Sequence, residues 1–141
     1  MSHTTEHSLS HTFEREIERF IQTASLSDQE GLYRNRRSST RIHRAMPIIF
    51  MRIDLIGGGD QSATLHNVSN DGLAFHCDCG LPVGAILAIK LFWSDTHSRR
   101  VPAIVRHCEI TQQGFLIGAQ FAVHQHEACE LIQSNNEAWY G

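Results

Sequence analysis

The chain has 141 residues, room for one domain of ordinary size with short extensions and too few for two. Hydrophobic residues make up 41% and charged residues 19%, a globular composition that buries a core without disulfide or metal staples. The formal net charge is −3, no apolar run approaches bilayer length, and MSHTTEHSLSH lacks the basic start and apolar stretch of a secretory signal, so a cytoplasmic protein is expected.

Residues 1–11, with three of the ten histidines, read as a flexible tail. From Thr12, a candidate N-cap, Phe13, Ile17, Phe20, Ile21 and Ala24 fall on one helical face, and Glu14, Glu16 and Glu18 suit the positive end of the helix dipole. This amphipathic helix needs a surface to lie on, and its own domain or a second copy of the chain would both serve. Ser25 to Gly31 reads as a polar link. The charge then changes character. Residues 1–30 hold six acids against two arginines, whereas residues 31–53 hold six arginines (Arg34, Arg36, Arg37, Arg41, Arg44, Arg52) and no acid.

Beyond the arginines the pattern is β. Met46–Asp54 is rich in Ile, Phe and Met and ends in the Gly57-Gly58-Gly59 turn. Ser62–Val68 follows, then a break at Ser69–Gly72, then Leu73–Cys77 with Leu73, Phe75 and Cys77 on one side. Pro82 and Gly84 punctuate before Ile86–Trp93, where Leu87, Ile89, Leu91 and Trp93 share a face that predicts core packing, Trp93 included. Val101–Ile110 and Phe115–Phe121 complete the series around Gln112-Gln113-Gly114, and Ala128, Leu131 and Ile132 mark a short helix from Gln125. Six short strands with a helix at each end predict a mainly β fold, a small six-stranded antiparallel barrel.

Eleven of the twelve basic residues are arginine. Solubility would be served as well by lysine, but the planar guanidinium fork matches a phosphate or a guanine edge through two parallel hydrogen bonds. Arginine bias without local acids points to a phosphate-bearing partner. The cysteines suggest no site. Cys77 and Cys79 are two apart in an expected strand, but a CxC without a second paired knuckle is not a zinc signature, and no metal is expected. No GxSxG, HExxH, P-loop or GxGxxG promotes an enzyme.

Two motifs remain. Arg37-Ser38-Ser39-Thr40-Arg41 is an RxxxR preceded by Arg36 and set just before the first strand. Asn67-Val68-Ser69-Asn70-Asp71-Gly72 is an NxSxxG at the exit of the second strand, where Gly72 is expected to take positive φ in a sharp turn. In this order and on these elements the pair resembles the PilZ domain, a bacterial receptor for cyclic dimeric GMP. The likeness covers about residues 34–124, including Gly118-Ala119-Gln120-Phe121 of the last strand. It implies a PilZ-type barrel over 34–124; with the elements read from the residues, the chain divides into a tail over 1–11, a helical extension and link over 12–33, that barrel, and a C-terminal helix and tail over 125–141.

The resemblance also implies a site. Arg37 and Arg41 would wrap over cyclic dimeric GMP, contacting phosphate or the O6 and N7 edge of guanine. Asn67 and Ser69 would sit on the barrel surface and bond the ligand's polar edges, Gly72 would hold the turn that aims them, and Arg36 would add a contact compatible with a stacked ligand pair. The segment Arg34–Arg44, with like charges that repel, is expected to be mobile until ligand folds it over the barrel and alters the surface seen by a protein partner. Two rivals stand beside this receptor: a nucleic-acid-binding barrel, and a ligand-blind PilZ-like adaptor. The former would show exposed aromatics for stacking, and the latter tends to lack the motif residues kept here.

Overall fold

A computed structural model describes residues 2–26, 41–56 and 58–140. The chain order is helix α1 (Ser2–Leu26), strands β1 (Ile42–His43), β2 (Pro47–Arg52), β3 (Gln61–Val68), β4 (Gly72–Cys77), β5 (Ile86–Lys90), β6 (Val101–Thr111) and β7 (Gly114–Phe121), then helix α2 (His126–Tyr140). All pairings are antiparallel. They run β3-β2-β5-β6-β7-β4, and β4 returns to β3, which closes a six-stranded barrel without free sheet ends. The short β1 pairs with the far end of β3 on the edge that β2 uses at its start, so β1 and β2 form one interrupted strand.

Alternation along the strands fills the interior. Ile48 and Phe50, Leu65 and Val68, Leu73 and Phe75, and Leu87, Ile89, Val101 and Ile117 are all buried, and each such large side chain contributes about 1.5–3 kcal/mol by leaving water. The Phe50 and Phe75 rings meet at 5.1 Å between centroids. β5 is buried on both faces, because Ile86 and Ala88 are buried as well as Leu87 and Ile89.

Helix α1 packs on its own domain, which settles the choice that its stripe left open. Phe13, Ile17, Phe20 and Ala24 are buried at spacings of four, three and four, Phe20 meets Phe92 edge-on at 5.3 Å, and Ser10 Oγ donates to the Val123 carbonyl at 2.6 Å. Glu16, also buried, accepts a 2.6 Å hydrogen bond from Ser98 Oγ and pairs with Arg19, whose guanidinium lies 4.1 Å from the Phe92 ring centre. A buried carboxylate must be paired and hydrogen-bonded to be tolerated, and this one fixes the helix to the loop between β5 and β6.

Three expectations are corrected. The helix begins at Ser2, so the tail expected over 1–11 is helical from there and Thr12 lies inside the helix rather than capping it. Residues 2–11 contain no Gly or Pro to stop a helix propagating backwards. Trp93 is 51% exposed: β5 ends at Lys90, and a turn in which Asp95 N–H donates to the Phe92 carbonyl rotates the indole outward. β4 ends at Cys77, so Cys79 lies beyond the strand. The Cys77 thiol donates to the Cys79 carbonyl, and burial pushes its pKa up to about 11, the range of an inert thiol. Among the described residues, no group of three or more His, Cys, Asp or Glu is placed to hold a metal.

Candidate functional site

The NxSxxG stretch is the hairpin between β3 and β4. Asn67 is in β3, opposite His43 of β1 on one side and Ala74 of β4 on the other. Ser69 N–H donates to the Gly72 carbonyl at 2.8 Å, its Oγ accepts from Asp71 N–H at 3.2 Å, and the Asp71 carbonyl accepts from Phe121 N–H at 2.9 Å. The turn is thereby stapled to itself and to β7. Asn67 and Ser69 were expected on the surface, yet they are only 8% and 2% exposed. The Ser69 hydroxyl serves the turn, which is why a short polar side chain stands there.

Gly72 opens β4 with ordinary negative φ; among the described residues, positive φ is confined to Gly84 and Gly114. The expected reason for this glycine is therefore corrected. A Cβ at position 72 would strike the Ala119 carbonyl oxygen and sit 3.1 Å from the Gln120 Cα. The residue is glycine because β7 passes too close for a side chain.

The two motifs meet. Arg41, exposed just before β1, donates from Nη1 to Asn67 Oδ1 at 2.7 Å. One residue of RxxxR is thus held on the first residue of NxSxxG by a charge-assisted bond. Arg36 and Arg37, together with the arginine segment expected to be mobile, lie outside the described residues apart from its end at Arg41–Arg44.

Arg41 also forms one wall of an open cleft of about 330 Å³. Gly72 and Gly118 contribute no side chain to it, and Asp71, Leu73, Arg106, His107, Ala119 and Gln120 line the rest. Arg106 Nε donates to Gln120 Oε1 at 3.1 Å. A neighbouring cleft of about 350 Å³ shares Asp71 and Gln120 and is bounded by Glu14, Ile17 and Glu18 of α1. Two arginines and one acid line the first cleft, a balance that suits an anion. A single arginine in a strand carries no motif, so Arg106 has no visible role in the sequence; only the fold brings it into one cleft with Arg41.

Arg100, by contrast, is structural. It is 8% exposed, grips Asp60 with two bonds of 2.6 and 2.9 Å, and stacks 4.7 Å from the Trp139 ring centre. Its guanidinium holds the Asp60 carboxyl below the usual carboxylate range.

Residues 35–135 match the family model of the PilZ domain. No curated protein matches the chain in sequence. Among solved structures, the chain is similar to YcgR of Escherichia coli in complex with c-di-GMP, at 13% identity and a TM-score of 0.48, over 73% of this chain and 45% of that one. It is similar to a K. pneumonia MrkH–c-di-GMP complex at 12% identity and 0.48, over 74% and 51%. The Bacillus subtilis inhibitor of motility MotI/DgrA gives 18% and 0.45, again over 74% and 51%. The chain spans about half the length of these three proteins.

Proposed function

The chain belongs to the PilZ domain family, and from that premise we propose that it is a non-catalytic receptor for cyclic dimeric GMP that passes the binding event to a protein partner. The observation that supports this reading best is the hydrogen bond from Arg41 to Asn67, which joins the arginine motif to the hairpin motif.

Chemistry sets the division of labour. The ligand offers two phosphates and two guanines in one ring. Arg37 and Arg41 supply the planar forks for phosphate and for the guanine O6 and N7 edge, and Arg36 adds a third. Asn67 orients Arg41 and offers its amide to the ligand. Ser69 holds the hairpin in shape and keeps a hydroxyl proton to donate, and Gly72 lets the hairpin close against β7 at the edge of the cleft.

Micromolar affinity needs about 8 kcal/mol. One charge-assisted hydrogen bond nets roughly 1.5–3 kcal/mol, while fixing each residue of a loose segment costs about 1–2 kcal/mol. Several arginines must therefore act together, and no single one suffices. Once neutralised by phosphate they can lie against the barrel, and the surface offered to the partner changes with them.

Calorimetric titration with cyclic dimeric GMP, with GTP and cyclic dimeric AMP as controls, tests the reading. The parent chain binds the first and discriminates against the others, and Arg37→Ala or Arg41→Ala abolishes binding with the fold intact. Either variant binding as tightly as the parent overturns the assignment. A barrel for nucleic acid would instead bind long polyanions, with affinity falling steeply as salt rises.

A further inference from the structure

Arg106 stands at a β-bulge. The pairing of β6 with β7 shifts register between Val105 and His107, so Arg106 is the extra residue with no partner across the ladder. A bulge of this kind re-aims a side chain. Here the guanidinium reaches Gln120, whose Oε1 takes the Nε hydrogen at 3.1 Å. Among the described residues no other hydrogen bond or ion pair engages Arg106, so both Nη groups keep their donors. With Nε tied, the side chain presents its end-on fork, two parallel N–H groups held in one plane.

That fork shares the 330 Å³ cleft with Arg41, and the floor between them has a particular shape. Gly72 lies opposite Gln120, and Gly118 lies opposite Ala74 on one side and His107 on the other. Neither glycine raises a side chain, which lowers the floor at these two positions beside Leu73, Ala119 and Gln120. From β3, which anchors Arg41 through Asn67, to β6 there are three strand spacings, about 14 Å in all. Arg41 approaches this strip from β3 through Asn67, and Arg106 from β6 through Gln120 of β7.

We propose that Arg106 is a base-reading residue of the site, its two Nη groups donating to O6 and N7 of one guanine of the bound dinucleotide while Gln120 fixes the fork; this rests on the receptor function proposed above. Guanine carries acceptors at both of these positions, whereas adenine places an amino donor where O6 would be. The same fork that welcomes guanine therefore turns a donor toward adenine, and Arg106 sets selectivity as well as affinity. A glutamine carboxamide, with one donor and one acceptor, has the opposite preference and pairs with adenine.

The test is calorimetric titration of the full chain, as parent, Arg106→Ala and Arg106→Gln, with cyclic dimeric GMP and with cyclic dimeric AMP. Arg106 is exposed, so both variants should melt with the parent. Arg106→Ala is expected to weaken cyclic dimeric GMP binding roughly tenfold to a hundredfold, and Arg106→Gln to narrow the preference for guanine over adenine by about tenfold or more. If Arg106→Ala binds cyclic dimeric GMP as tightly as a binding-competent parent, the inference falls and the receptor function stands. If both ligands weaken equally and the preference is unchanged, Arg106 acts only as a charge and the base-reading role is overturned. A parent that binds neither ligand removes the receptor function itself.

Discussion

An added methyl group at Gly72 meets two pieces of backbone, the carbonyl oxygen of Ala119 and the Cα of Gln120. Both belong to β7, which is hydrogen-bonded to β4 on one side and β6 on the other, so relief requires moving a strand clamped on both edges. Gly72→Ala is therefore expected to cost about 1–3 kcal/mol, the usual range for overpacking, seen as a lower urea midpoint at unchanged slope. Gly59→Ala is the matched control. Nothing lies within 4 Å of its added Cβ, and its stability should stay within about 0.5 kcal/mol of the parent. A Gly72→Ala protein as stable as the control contradicts the close-approach explanation. The contrast also marks what the sequence can disclose about one residue. That position 72 resists substitution is legible from the NxSxxG spacing; that the obstacle is a neighbouring strand, and not a left-handed turn, depends on β4–β7 pairing, which lies more than forty residues away along the chain. Arg106 is hidden for the same reason, since its meaning comes from a bulge and from Gln120.

Helix α1 and strand β1 bracket the arginine segment at its two ends. The first is fixed by Phe13, Ile17, Phe20 and the buried Glu16–Ser98 bond, and the second by pairing Ile42 with Val68 and His43 with Asn67. Arg37 is four residues from Arg41, a reach of at most about 14 Å in extended chain, so anchoring Arg41 on Asn67 keeps Arg37 within range of the same cleft. Closing an already tethered segment costs less entropy than capturing a free tail. On the proposed function, amide hydrogen exchange over residues 31–45 should slow by about tenfold or more when cyclic dimeric GMP is added, with the core strands β5 and β6 little changed. Equal exchange with and without ligand contradicts ordering of the segment. At this scale the sequence was largely readable. Six strands showed because each alternates or forms a short apolar run bounded by Gly, Pro or polar turns, and the observed bounds of β3, β4, β6 and β7 fall within one residue of those expected. β1 was missed because two residues, Ile42 and His43, are too few to display any period. Trp93 misled because alternation continues along the sequence after the chain itself has turned away. The start of α1 was placed too late because an apolar stripe shows which part of a helix is buried, not how far an exposed turn extends.

On the proposed function, the barrel, the docked helix and the cleft together make a protein whose stability should respond to ligand as one unit. Three features favour this: the sheet closes on itself, α1 and α2 both contact β6, and the cleft is built from β4, β6 and β7 with Arg41 added from the entry to β1. A ligand that bridges Arg41, Gly72 and Arg106 therefore touches elements that separate only when the barrel opens. Binding restricted to the folded state adds RT ln(1 + [L]/Kd), about 2.7 kcal/mol at a hundredfold excess over Kd, and each further tenfold adds about 1.4 kcal/mol. For a domain of this size that corresponds to a rise of about 5–10 °C in the melting midpoint at the hundredfold point. The rise should continue with the logarithm of cyclic dimeric GMP concentration, because an unfolded chain with dispersed arginines offers no assembled site. It should also persist at moderately raised salt, since a compact ligand with two phosphates releases few counterions, whereas a long polyanion on the same arginines would lose most of its affinity. Scanning fluorimetry or calorimetry over a concentration series checks both features. A midpoint that stays fixed at millimolar cyclic dimeric GMP excludes binding to the native fold, and one that rises only at low salt reassigns the arginines to a generic polyanion surface.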